Sequence, residues 1–315
     1  MASLLARRVL GLVLTLLAAS VAIFLVMDVL PGDPAAIMLG TSARPDTLAA
    51  LHAALGLDRP ALLRYVAWLG GAITGQLGDS TTYGVPVSGL IRDRLAVTLP
   101  LTALAILMSV AVAVPLGVGA AARRGGMLDG IAAAFSQASV AVPNFWIGLL
   151  LILLFAARLG WLPANGFPGW GNGIGQALDA LLMPAIALAL PQAGILTRVT
   201  RVAVLDVLGE DFVRTARAKG LTRSAALWRH AVPNALPAVV TILGLQFSFL
   251  VAGSVLVENV FALPGLGRLA LQAFTQRDLV VVQDVGLFFA ALVIVVNFMV
   301  DLAYLALDPR LRVSA

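Results

Sequence analysis

Six long apolar runs, separated by polar stretches, dominate this chain. They are Val9–Leu30, Leu95–Ala122, Gly130–Ala157, Ala180–Thr197, Ala231–Val257 and Val285–Leu307. A helix needs about 20 apolar residues to cross a hydrocarbon core, so each run reads as a transmembrane helix. Asp28 and Asp301 interrupt the first and last runs near their ends. Pro184 and Pro191 lie in the fourth, the shortest. The first run follows Arg7 and Arg8 but exceeds the length of a signal-peptide core, which makes it an uncleaved anchor. The expected class is an all-α polytopic membrane protein with six transmembrane helices.

Between the first two runs, residues 31–94 are too long for a plain loop and carry helical periodicity. A short helix is expected with Asp46 or Thr47 as its N-cap and Gly56 as its stop. A second starts at Pro60, with Leu62, Leu63, Val66 and Leu69 facing the membrane domain or the membrane interface. His52 reads as a surface residue, and "LPGDP" at 30–34 reads as a sharp turn. The expected organisation is thus 1–30 as N-terminus and first span and 31–94 as an outer helical segment. A membrane core covers 95–307, with an inner region at 198–233, and a tail covers 308–315.

Charge fixes an orientation. If the N-terminus is cytoplasmic, 13 of the 21 basic residues fall in the four inner segments, which are half as long as the three outer ones. That bias satisfies the positive-inside rule and puts both termini in the cytoplasm. The chain is 60% hydrophobic and only 12% charged, yet "DFVRTARAKGLTRSAALWRHAVPNALP", Asp211 to Pro237, holds five basic residues and the only lysine, Lys219.

Several chemistries are absent. Without cysteine there is no disulfide or thiolate metal site, and two distant histidines make no metal centre. Lys219 precedes Gly220, so there is no phosphate-binding P-loop, and hydrolysis of ATP in that mode must occur elsewhere. Ion-coupled carriers keep ionisable groups in mid-membrane, but the mid-span polar residues here are neutral: Gln137, Ser139, Asn144, Gln192, Gln246, Ser248 and Asn297. Such groups either bond between helices or line a pathway; Gln137, Asn144, Gln246, Ser248 and Asn297 are the pathway candidates.

The basic stretch reads as helix–turn–helix. Asp206 to Lys219 has acids early and bases late, matching the helix dipole; Gly220 stops it, and Thr222 caps a second helix running to His230, before Pro233. Thr215, Ala216 and Ala218 are small enough for a partner to approach closely. A contact surface and a merely orienting basic loop both fit this pattern.

The stretch resembles the coupling motif of binding-protein-dependent ABC importers, E-A-A-x3-G-x9-I-x-L-P. The matching positions are Arg214, Thr215 and Ala216, then Gly220, then His230, Val232 and Pro233. Ala216, Gly220 and Pro233 are identical to the motif, while Arg214, Thr215, His230 and Val232 depart from it. "DFVRTARAKGL" is the form seen in the peptide and nickel permease branch. "LPGDPAAIMLG", "PVSGLIRDRLAVTLPL", "SVAVPNFWIGLLL", "VENVFALPGLGRLALQAFTQRDLVVVQ" and "NFMVDLAYLALDPRLR" extend the resemblance to B-type dipeptide permease subunits over about 300 residues.

The resemblance implies a type I ABC importer permease fold in a bacterial inner membrane. It implies a heterodimer with a second permease subunit and two ATPase subunits holding ATP and Mg. A solute-binding protein delivers peptides from outside, and nucleic acid has no role. It assigns Arg214, Thr215, Ala216, Arg217, Lys219, Gly220 and Pro233 to ATPase coupling. Glu258, Asn259, Arg268, Arg277 and Asp278, in the last outer loop, become candidate contacts for the binding protein, with loop structure as their other role. Nickel chelates, glutathione and sugars are alternative cargoes. A secondary transporter working alone is the alternative class.

Overall fold

The computed structural model describes residues 2–29, 34–40 and 43–307. The "LPGDP" turn and the tail 308–315 fall largely or wholly outside them. The described residues form helices and connecting loops, with one isolated antiparallel bridge between Asp79 and Pro86.

The helices are α1 (Ala2–Val29), α2 (Pro34–Leu39), α3 (Pro45–Leu55), α4 (Ala61–Thr74), α5 (Val87–Ala122), α6 (Met127–Ala141), α7 (Asn144–Leu151), α8 (Ile174–Gly209), α9 (Asp211–Ala218), α10 (Arg223–Ala226), α11 (Val232–Val260), α12 (Leu266–Gln276) and α13 (Leu279–Leu307). Two π-wound segments, Ile152–Arg158 and Leu227–Ala231, continue α7 and join α10 to α11. Among the described residues, five helices are long and apolar enough to cross a membrane, and a sixth span results if the bent pair α6–α7 counts as one.

That bend changes the expected third span. Instead of one rod over Gly130–Ala157, the chain turns by 97° between α6 and α7. Val142 precedes Pro143 and is forced into extended backbone, φ −104° and ψ 126°, which no helix tolerates. The fourth span shows the reverse. Pro184 and Pro191 do not end α8, which runs for 36 residues against the expected 18. Both prolines lie on a helix whose most apolar stretch is 72% buried, so surrounding helices hold the backbone in place.

The chain divides into two compact units. The first comprises Thr98–Pro264 with the last part of α13, and the second Ala2–Val97 with Gly265–Val295.

In the first unit α8 is the central helix, packed by α6, α7 and α11. The packing depends on glycine. A Cβ on Gly117 of α5 would lie 2.7 Å from the Thr197 carbonyl oxygen and from Cβ of Thr200 on α8. One on Gly194 of α8 would lie 2.7 Å from Cβ of Ser139 on α6, and one on Gly253 of α11 would lie 2.6 Å from Asn144 Nδ2 on α7. Inside a membrane, where lipid is as apolar as leucine, such close approaches replace hydrophobic exclusion as the source of association.

In the second unit, Val87 and Ile91 of α5, Leu266, Leu269 and Ala273 of α12, and Val281 and Val285 of α13 form one buried core. A second contact set joins α1, α4 and α13. Tyr65 OH lies 2.8 Å from Ser20 Oγ, and Phe24 meets the Tyr65 ring edge-on at 5.4 Å. Arg64 pairs with Asp28, and Trp68 Nε1 donates to Asp284 Oδ1 at 2.7 Å. The α4 stripe of Leu62, Leu63 and Val66 faces outward, so the aromatic and charged face of α4 makes its contacts within the unit.

The expected α3 cap also moves. Pro45 occupies the first helical turn, where its fixed φ is pre-set, and Arg44 is the N-cap. Thr47 lies inside the helix and its Oγ1 accepts from Arg44 N at 3.1 Å. Gly56 ends the helix as expected, at φ 66°.

Candidate functional site

The basic stretch folds as two short helices around a glycine turn. α8 ends at Gly209, and Glu210, at ψ 147°, starts a separate helix α9 instead of continuing one helix from Asp206. α9 has one buried residue, Val213, while Arg214, Thr215, Arg217 and Lys219 are exposed and Ala216 is half-buried. Gly220 follows at φ +96°, a conformation that any side chain would strain. Thr222 then caps α10, its Oγ1 accepting from Ala225 N at 3.2 Å.

The excursion is anchored from behind. Leu227 and Ala231, in the π-wound segment, pack with Val118 and Ala121 of α5, Val204 of α8 and Ala235 of α11 in one buried cluster. The Phe212 ring of α9 meets His230 edge-on at 6.4 Å. Pro233, exposed, cannot donate a backbone hydrogen bond, and Pro237 repeats the defect one turn later. Side chains bind carbonyls of these turns: Asn234 Nδ2 donates to His230 O at 2.7 Å and Thr241 Oγ1 to Pro237 O at 2.9 Å. The helical run Arg223–Val260 therefore stays continuous through two prolines.

The pathway candidates separate. Gln246 is buried and donates from Nε2 to Gln192 O at 2.9 Å, an interhelical tie between α11 and α8. Asn144 accepts from Phe145 N and packs at Gly253. Ser248 and Asn297 are half-buried on α11 and α13. Gln137 is exposed and lines a cavity of about 490 Å3 between α6 and α8, with Asp129, Ser136, Arg198 and Arg201. In that cavity Arg201 grips Asp129 with two nitrogens, the second at 2.8 Å, and Gly125 N donates to Asp129 Oδ2 at 2.9 Å. Sequence reasoning missed this ion pair, whose members are 72 positions apart.

The outer-loop candidates also divide. Glu258 is fully buried and accepts from Thr98 Oγ1 at 2.6 Å, whereas Asn259 beside it is exposed. In the second unit Arg268 is half-buried and Arg277 is exposed, with φ 57° at the end of α12. Asp278 is fully buried. It accepts from Ser80 Oγ, from Thr82 N at 3.0 Å and from Val281 N at 3.3 Å. Burial pushes its carboxyl up, but those donors outweigh burial and hold it below the ordinary 3.8. Glu258 and Asp278 therefore build the loop and do not present charge at its surface.

Residues 113–313 match the family described as binding-protein-dependent transport system inner membrane component, and residues 1–102 match its N-terminal family. The chain belongs to this family, as a multi-pass membrane component of a binding-protein-dependent transport system. It is 41% identical to a putative peptide transport system permease protein of Brucella abortus (strain 2308), over 99% of both chains. It is 38% identical to a probable peptide ABC transporter permease protein of Sinorhizobium fredii, over 97% of this chain and 98% of the relative. Identity is 37% to the glutathione transport system permease protein GsiC of Salmonella choleraesuis, over 97% of both.

Among solved structures, a chain of the inward-facing MetNI methionine ABC transporter aligns with TM-score 0.55 and 21% identity. That alignment covers 70% of this chain and 96% of the other. A chain of an amino acid ABC transporter with histidines aligns at TM-score 0.51 and 19% identity, over 69% and 94%. These likenesses establish a shared fold, and the family expected from the motifs is the family found.

Proposed function

We propose that this chain is the permease subunit of an ATP-driven importer for peptides, glutathione included, and that α9 with its glycine turn couples it to an ATPase. The observation that carries the coupling reading is an exposed α9 face on a helix pinned by Val213 and backed by the Leu227–Ala231 cluster. Arginine forks on that face suit carboxylates and helix-end carbonyls of a partner. The substrate reading draws on the named relatives, peptide permeases at 38–41% identity and a glutathione permease at 37%.

In this scheme six spans cross the inner membrane, the third bent at Pro143, and both termini are cytoplasmic. Residues 31–94 form the outer helical segment. A second permease subunit completes the pathway, two ATPase subunits supply ATP and Mg, and a solute-binding protein docks outside. Asn259, Arg268 and Arg277 remain its contact candidates, and Gln137 the foremost pathway candidate.

The test is to compare Ala216→Trp and Gly220→Pro with wild type in the reconstituted importer. Subunit assembly should persist, while peptide uptake and substrate-stimulated ATP hydrolysis fall at least about tenfold, as for loss of a 1.4 kcal/mol coupling. Normal uptake and hydrolysis in both variants would remove the coupling assignment.

A further inference from the structure

Behind the coupling turn, four arginines line one cavity of about 630 Å3. Arg123 and Arg124 come from the end of α5, Arg217 from the last turn of α9, and Arg223 from the start of α10, over an apolar floor that includes Leu208 and Leu227. Among the described residues, no ion pair joins any of the four to a carboxylate. Asp129, the acid nearest Arg123 and Arg124 in sequence, has both oxygens engaged by Arg201 and Gly125 N and reaches Arg124 only through space, without an ion pair.

Helix ends account for part of the cluster, since a cation at the end of α5 or α9 suits the local dipole. They do not account for Arg223, which opens the helical run Arg223–Val260 at the end where the dipole opposes a cation. Four like charges round one concavity repel each other unless an anion sits among them. Guanidinium forks match phosphate oxygens two at a time.

Position narrows the source. α5 is free of charge from Leu95 to Ala122 and the chain turns basic at Arg123, just past it, so the basin lies at the height where a bilayer presents its phosphates. We infer that this basin binds a phosphate-ester anion, the headgroup of an anionic phospholipid, at the root of the coupling turn. The inference rests on α5 and α8 crossing the membrane. It does not need an ATPase, so it fails or survives separately from the coupling reading.

The test uses the full chain in phosphatidylcholine nanodiscs with and without phosphatidylglycerol, with retained lipid counted by native mass spectrometry. Wild type should retain phosphatidylglycerol selectively. Arg123→Ala with Arg223→Ala should lower that affinity about thirtyfold, near fivefold for each cation at a membrane surface. Its unfolding temperature in pure phosphatidylcholine should match wild type. The corresponding double lysine variant should recover only part of the affinity, because ammonium lacks the fork.

Inorganic pyrophosphate added to pure phosphatidylcholine discs separates the sources. If it raises the unfolding temperature of wild type alone, the phosphate site stands but its ligand is soluble. Equal phosphatidylglycerol retention by wild type and the alanine variant, with no effect of pyrophosphate on either, overturns the site. So does a defect that appears only once ATPase subunits are added, since the arginines then meet acidic side chains. Should the double variant not fold, wild type across a salt series decides: selective retention unaffected by high salt also overturns it.

Discussion

In the unit of Thr98–Pro264, helices approach each other through glycine: Gly117 against Thr197 and Thr200, Gly194 against Ser139, Gly253 against Asn144. In the unit of Ala2–Val97 and Gly265–Val295, the comparable places hold hydrogen-bonded acids and rings: Asp278 with Ser80 and Thr82, Trp68 with Asp284, Tyr65 with Ser20. The first unit is specified mainly by shape; its buried ties are neutral except at Glu258, which accepts from Thr98, and at Asp129, paired with Arg201. The second is specified by direction, because a buried carboxylate fixes the donors around it.

The contrast can be broken from either side. Gly117→Val should cost about 3 kcal/mol, since its side chain must enter α8 where even a Cβ would be 2.7 Å from a carbonyl oxygen. A large drop in unfolding temperature in detergent checks it, and an unchanged temperature would mean that α5 and α8 do not touch there. Asp278→Ala should cost about 2 kcal/mol by leaving the Ser80 hydroxyl and Thr82 N–H without their acceptor.

The same residue carries a pH signature. Its native pKa is depressed, so its contribution is complete above the ordinary carboxylate range and is lost as pH falls below about 4 through the lower native value. Stability profiles of wild type and Asp278→Asn should therefore run offset by a constant amount above that point and approach each other below it, with the asparagine form flatter.

Trp68→Phe should cost about 1–2 kcal/mol, because the ring stays apolar while Asp284 loses its donor. An unfolding curve identical to wild type would remove that tie from the account. The smallest effect is expected at Asp211→Ala. Its 3.3 Å pair with Arg214 is largely exposed and screened, so no measurable change in unfolding temperature should follow.

The elements themselves were largely legible. Apolar runs of span length located the long helices because burial in hydrocarbon demands continuous hydrophobicity. Gly56 and Gly220 were readable as stops because only glycine sits easily at their positive φ. Thr222 was readable as a cap because its hydroxyl can accept a free first-turn N–H, here that of Ala225. The basic stretch was legible as two helices around a glycine turn at Gly220, and its coupling role remains the proposal. Prolines were not legible alone. Pro143 breaks its span and Pro184 does not, and the difference lies in neighbours that sequence does not display. The stripe of α4 was half legible: periodicity marks an apolar face without saying whether protein or the membrane interface covers it, and Leu62, Leu63 and Val66 are exposed.

Sequence by itself determined that this chain crosses a membrane several times and belongs with the binding-protein-dependent permeases. Those properties follow from composition, periodicity and short spacings, which are local. Only tertiary structure decided that Glu258 and Asp278 are internal, that Arg201 holds Asp129, and that Arg123, Arg124, Arg217 and Arg223 share one basin. Each of those facts joins residues far apart in the chain, and burial and charge pairing are properties of what surrounds a residue rather than of the residue itself.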